Sequence, residues 1–246
     1  SGYSGSTPVT LTYTLTDNTG LPAATATITV TITNPVATPT PSPVGDTVNL
    51  VRGGSAVTLD LWANDIGVGA GAPNNSTNAL GAAPSGVSVT ANGNGSVTFQ
   101  AQAGYSTPSG QSSMTYTVTN TGGTGPISAS ATVTIKVIDA VNDSASIVRS
   151  TGSAGSTNID IIGNDIPTSA SALAANGATL TPAATSSPAG LTGISWSSGL
   201  LFVTAPAGLA DGTYTVTYTL SQPSTGAGSS PTVTDTGTVT ITVSTT

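Results

Sequence analysis

The chain has 246 residues, 5% of them charged, and a net charge of −7 from ten acids and three bases. A phosphate-binding surface needs clustered Lys and Arg, and the chain has only Arg52, Lys136 and Arg149, so nucleic acid is excluded as a partner and adsorption to anionic lipid is disfavoured. With no His and no Cys, the commonest general base, the thiol nucleophile and zinc ligation are excluded as well.

Residues 1–34 hold two alternating runs. Val9, Leu11, Tyr13 and Leu15 fall on one face with Thr10, Thr12 and Thr14 on the other; Ala26, Ile28, Val30 and Ile32 repeat the pattern. Period two predicts half-buried strands, and β-branched Thr and Val suit a pleated surface. Residues 35–44, PVATPTPSPV, read as a stiff extended linker. From residue 45, DTVNLV and SAVTLDLWANDI predict two strands, with Trp62 in phase with the core positions. Residues 67–85 are a long small-residue loop. VSVTANGNGSVTFQA then reads as a hairpin turning at Asn92–Gly95. The pair containing Met114, Tyr116, Val118 and Ala131, Val133, Ile135, Val137 closes the repeat near residue 138.

The order then recurs over residues 139–246. ASIVRS and STNIDIIGNDI match the opening strands, Asn164-Asp165-Ile166 matches Asn64-Asp65-Ile66, and residues 168–190 form another long loop. Tyr214, Val216, Tyr218 and Leu220, then Val239, Ile241 and Val243, close it. Tyr13, Tyr116 and Tyr218 are spaced by 103 and 102 residues, the size of one antiparallel sandwich. Residues 1–34 are therefore the closing two strands of a partial repeat, 35–44 a linker, and 45–138 and 139–246 complete repeats. Glu is absent and Lys and Gln are scarce, so helix is expected nowhere. No apolar run approaches the ~20 residues of a membrane-spanning helix.

Strand–ANDI–loop, then FQAQAGYS…MTYTVTN…ATVTIKV, then VND at the junction, resembles the bacterial cadherin-like and immunoglobulin-like tandem repeats of large surface proteins and adhesins. The resemblance implies an all-β fold of tandem Ig-like or cadherin-like antiparallel β-sandwiches in an extended array. It also implies an extracellular setting at the bacterial cell surface. Many such repeats bind Ca²⁺ through Asp-rich loops after the Asn-Asp motif and at junctions. Here IGVGAG and IPTSAS follow that motif and add no carboxylate, leaving Asp139, Asn142 and Asp143 as Ca²⁺ candidates. Ca²⁺ takes six to eight oxygens, so the competing role, capping of turns, is favoured and no cofactor is expected.

Asp17, Asp60, Asp160, Asp211 and Asp235 are scattered along the chain, which reads as non-enzymatic. The leading function is a structural repeat of a surface protein or fibre, with filament assembly by β-strand complementation. In that reading Val9, Leu11, Tyr13, Ile28, Val30 and Ile32 form the polymer contact. The partners are other copies of the chain or neighbouring repeats of a longer one. The alternative is an adhesin module that recognises a glycan or protein receptor through loops 67–85 and 168–190. A third reading, ice binding by Thr rows such as Thr25, Thr27 and Thr29, gives way to Thr as an ordinary polar strand former.

Overall fold

The structure is a computed structural model that describes residues 8–31, 37–71 and 74–246. The first two strands, β1 (Val9–Leu15) and β2 (Ala24–Val30), pair antiparallel as an isolated hairpin. Its register sets Val9 against Val30, Leu11 against Ile28 and Tyr13 against Ala26. Thr10, Thr12 and Thr14 meet Thr29, Thr27 and Thr25, so one face is wholly apolar and the other is a field of hydroxyls.

Next come β3 (Asp46–Val51), β4 (Val57–Asp60), β5 (Ser76–Leu80), β6 (Val87–Gly93), β7 (Ser96–Ala101), β8 (Gln111–Asn120) and β9 (Ile127–Ile138). They form a four-stranded sheet in the order β3-β9-β8-β5 over a three-stranded sheet β4-β7-β6. β3 runs parallel to β9 and all other pairs are antiparallel. Alternate residues of both inner faces fill the core, where Val48, Leu50, Phe99, Tyr116, Val118, Val133 and Ile135 are fully buried. The β6–β7 hairpin turns through Asn94 and Gly95, both at positive φ, as its Asn-Gly sequence requires.

The second sandwich repeats this plan. Its strands are β10 (Asp143–Arg149), β11 (Gly155–Asp160), β12 (Thr179–Pro182), β13 (Thr192–Ser197), β14 (Leu200–Ala205), β15 (Gly212–Gln222) and β16 (Val233–Thr245). The order β10-β16-β15-β12 lies over β11-β14-β13. Both long loops carry structure that the sequence reading left out. Loop 67–85 contains β5, and loop 168–190 contains β12 and a short helix, α1 (Ala170–Asn176). Helix was expected nowhere because Glu, Lys and Gln are scarce, yet α1 is ASALAAN, and Ala is the strongest helix former. Ser169 Oγ caps it by accepting from Ala172 N at 3.2 Å, and Gly177 ends it at φ +70°.

Two further expectations change. The proline-rich stretch packs in part on the first sandwich. Thr38 is buried and donates to Gly125 O, Asn120 Nδ2 donates to Pro39 O, and Ser42 bridges Ile66. The two sandwiches are also clamped together, where a junction alone was expected to join them. The β15–β16 loop lies along the outer edge of β3: Thr47 N donates to Gly228 O at 2.8 Å, and Ser230 N donates to Thr47 O at 2.9 Å. Fully buried Asn49 donates its amide to Pro223 O and Pro231 O. Lys136 Nζ reaches Asn176 O at 2.7 Å, and Arg52 forms an ion pair with Asp139. The loop thus serves β3 as an extra strand and covers an edge that would otherwise invite pairing.

Candidate functional site

Three places carry the functional argument: the end of each sandwich around its Asn-Asp motif, the face of the β1–β2 hairpin, and a cavity beside Trp62.

At the first end, the core strand β8 aims Tyr116 at the opening segment. Its hydroxyl lies 3.0 and 3.2 Å from the Asp65 carboxylate oxygens and 3.0 Å from Val44 O, while Val44 N donates to Asp65 Oδ1 at 2.7 Å. The second end copies this. Tyr218 Oη lies 2.9 and 3.0 Å from the Asp165 oxygens and 2.8 Å from Val141 O, and Val141 N donates to Asp165 Oδ1 at 2.6 Å. Burial and the nearby carboxylates hold both phenols well above the usual tyrosine range, so they stay protonated donors. Each tyrosine thereby pins the strand entering its sandwich to the turn after the second strand. Asp60 and Asp160 are turn caps: Asp60 Oδ1 accepts from Trp62 N and Asp160 Oδ1 from Ile162 N and Gly163 N.

Asp46 has no such partners. It is 2% exposed, neither of its oxygens makes a hydrogen bond, and Gly228 of the clamping loop packs against it and Asn64. Desolvation pushes its carboxyl up to about 7, offset only in part by the neighbouring Tyr116 hydroxyl and Asn64 amide. Asp165 is likewise pushed up to about 7, first by desolvation. No sequence pattern announces the burial of Asp46; its one signal is recurrence at Asp143.

Asp139, Asn142 and Asp143 do not form one ligand set. Asp139 pairs with Arg52 of the first sandwich, Asn142 Oδ1 accepts from Thr238 N at 2.8 Å, and Asp143 turns toward the Tyr218 hydroxyl and the Asn164 amide. Burial raises the carboxyls of Asp139 and Asp143. Among the described residues no group of three acids is placed to hold a metal ion. Chelation with EDTA is expected to leave the melting temperature unchanged. A fall of many degrees, reversed by added Ca²⁺, would show instead that these side chains hold a structural cation.

The hairpin residues assigned to a polymer contact are exposed: Leu11 57%, Tyr13 51% and Ile28 52%, with Val9 and Val30 close behind; Ile32 lies outside the described residues. The register shows what this face is. Tyr13 stands opposite Ala26 as Tyr116 stands opposite Ala131 and Tyr218 opposite Gly237. A small residue across the strand makes room for the ring in all three copies. In the two complete repeats that ring is buried under the opening strands.

Trp62, expected in the core, sits half-buried at its rim, packed on the first core from outside. It lines a cavity of about 210 Å³ with β5, β6 and the β6–β7 turn.

Fold and register together define an all-β protein of tandem Ig-like sandwiches. Residues 35–138 match the family model of the bacterial Ig domain. Among solved structures, an I-band fragment of titin is similar at a TM-score of 0.37 and 12% identity, over 86% of this chain and 67% of that one. Extracellular domains 3–5 of Drosophila OTK give 0.36 and 16%, over 90% and 69%. The EC1–3 fragment of mouse protocadherin-24 gives 0.30 and 15%, over 96% and 80%. An endo-fucoidan hydrolase of glycoside hydrolase family 107 gives 0.28 and 15%, and this chain spans 34% of its length. No curated protein matches the chain. No helix among the described residues is long and apolar enough to cross a membrane.

Proposed function

We propose that the chain is a non-enzymatic structural module of a bacterial extracellular surface protein or fibre. In this reading the β1–β2 hairpin is the closing half of a third sandwich. Its opening half is supplied from outside these strands by a like repeat, in a neighbouring stretch of a longer chain or in a different kind of subunit. The observation that carries the reading is the hairpin face: its register equals that of β8–β9 and β15–β16, yet its apolar row is exposed. A two-stranded hairpin with one wet apolar face is marginal in water, so its burial elsewhere is the physical expectation. Strand complementation between identical copies is disfavoured, because both complete sandwiches already use their opening strands. The required complement is specific. It places one strand parallel to β2, as β3 lies along β9, and buries a carboxylate within reach of the Tyr13 hydroxyl.

A chimera tests this: residues 8–31 replace β8 and β9 of the first sandwich, behind that sandwich's own opening strands. Amides of residues 9–30 should then become protected from hydrogen exchange, whereas in the parent chain they exchange rapidly. Unchanged rapid exchange in the chimera shows that the hairpin is not a closing half. Small-angle scattering of the parent chain addresses the spacer role, which requires an elongated particle; a compact sphere rules it out.

A further inference from the structure

Beyond the structural role, we propose that the first sandwich carries a pocket for one neutral sugar ring, built on Trp62. The second sandwich supplies the internal control. Position by position in the two registers, Trp62 corresponds to Ile162, Asn78 to Leu180 and Ser96 to Leu200. In the second repeat Ile162 and Leu180 are buried in the core. In the first, the same place holds an indole and two small polar side chains, and a cavity of about 210 Å³ opens between them.

The indole is held in one orientation. Its Nε1–H donates to Asn78 Oδ1 at 2.7 Å, and its backbone N donates to Asp60 Oδ1 at 3.0 Å. Gly95 lies beneath it, where a Cβ would come within 2.5 Å of Trp62 Cγ; with φ at +83°, glycine is required here twice over. A large ring is therefore fixed at the rim of the core beside Ser76, Thr77, Asn94 and Ser96. The Ser76 hydroxyl is already bonded to Asn120 Oδ1 and Gly69 N, which leaves the Asn78 Nδ2 and Asn94 amides, the Ser96 hydroxyl and the turn backbone as donors and acceptors, and no charged side chain is among the lining residues. An aromatic platform ringed by neutral hydrogen-bonding groups fits a ligand that is apolar on its C–H face and hydroxylated at its edge. A pyranose has that chemistry. The volume is below that of clefts for drug-sized ligands, which limits the site to a single ring. The uncharged lining disfavours uronic and sialic acids, whose carboxylates would be desolvated without a cation. None of the lining residues belongs to β1 or β2, so the pocket stands or falls independently of the complementation reading.

Ligand-observed saturation-transfer NMR on the full chain, with neutral hexoses and N-acetylhexosamines at millimolar concentration and glucuronic acid as the charged comparison, tests the site. At least one neutral sugar should receive saturation from the protein's aromatic protons, with a Kd of about 1 mM. Ser96→Leu, which places the second repeat's residue in the cavity, should abolish the effect without lowering the melting temperature, and Trp196→Phe should leave it unchanged. The assignment is overturned if no neutral sugar is saturated or if glucuronic acid binds equally well. It is also overturned if the signal survives Ser96→Leu or is lost with Trp196→Phe.

Discussion

Tyr116→Ala is expected to lower the unfolding free energy of the first sandwich by about 3–5 kcal/mol, the cost of truncating a large buried ring. The ring is fully buried, and its hydroxyl is shared among Asp65, Val44 O and Leu61 O. Truncation thus opens a cavity and leaves the Asp65 carboxylate with the Val44 N–H as its remaining donor in one step. Tyr116→Phe separates the two effects: it keeps the ring and removes the donor, so its cost should be about 1–3 kcal/mol. Urea titration followed by intrinsic fluorescence measures both. A loss below about 1 kcal/mol for the alanine variant would mean that the ring does not anchor the sandwich. Tyr13→Ala provides the contrast, since that ring is half exposed in its hairpin and should change little.

The strands were legible because they alternate. Val9 to Leu15, Met114 to Val118 and Tyr214 to Leu220 each place apolar and hydroxyl residues on opposite faces, and the register bears this out pair by pair. Illegible segments were those whose local composition says loop while tertiary contact makes structure. STNAL becomes β5 only because β8 offers it an edge, and TLTP becomes β12 against β15. The clamp between sandwiches could not be read either. PSTGAGSSPT looks like any polar loop, and only the structure shows Ser230 and Gly228 bonded to Thr47. For the candidate sites, periodicity found Tyr116 and Tyr218 but assigned them only to packing. Their hydroxyl partners, Asp65 and Asp165, lie 51 and 53 residues away in the chain, a separation that no local pattern links. Trp62 was in phase with the core, and its place at the rim follows from Asn78 and Ser96, which leave it without apolar cover.

Lowering the pH from 7.5 to 5 is expected to stabilise the protein, the reverse of ordinary acid destabilisation. The carboxyls of Asp46 and Asp165, at 2% and 0% exposure, are raised to about 7 from the usual 3.8, chiefly by desolvation. The groups facing Asp46 are Asn64, Tyr116, Asp65 and Asp60; those facing Asp165 are Val141 N, Tyr218, Asp143 and Asp139. No cation is among them. A raised carboxyl binds its proton more tightly folded than unfolded. Its stabilising contribution is therefore complete below about 4 and is lost as the pH climbs through about 7. Asp46→Asn isolates one of the two. It removes the buried charge, and the new amide N–H can donate to Asn64 Oδ1, a buried acceptor without a partner. At pH 7.5 the variant should be more stable by about 1–2 kcal/mol. At pH 5 it should match the parent. Thermal melts of both proteins at pH 5, 6, 7 and 7.5 make the comparison. A parent that melts lower at pH 5 than at 7.5, or a variant that is destabilised at pH 7.5 with the parent's pH slope intact, would mean that Asp46 is held as a stabilised carboxylate.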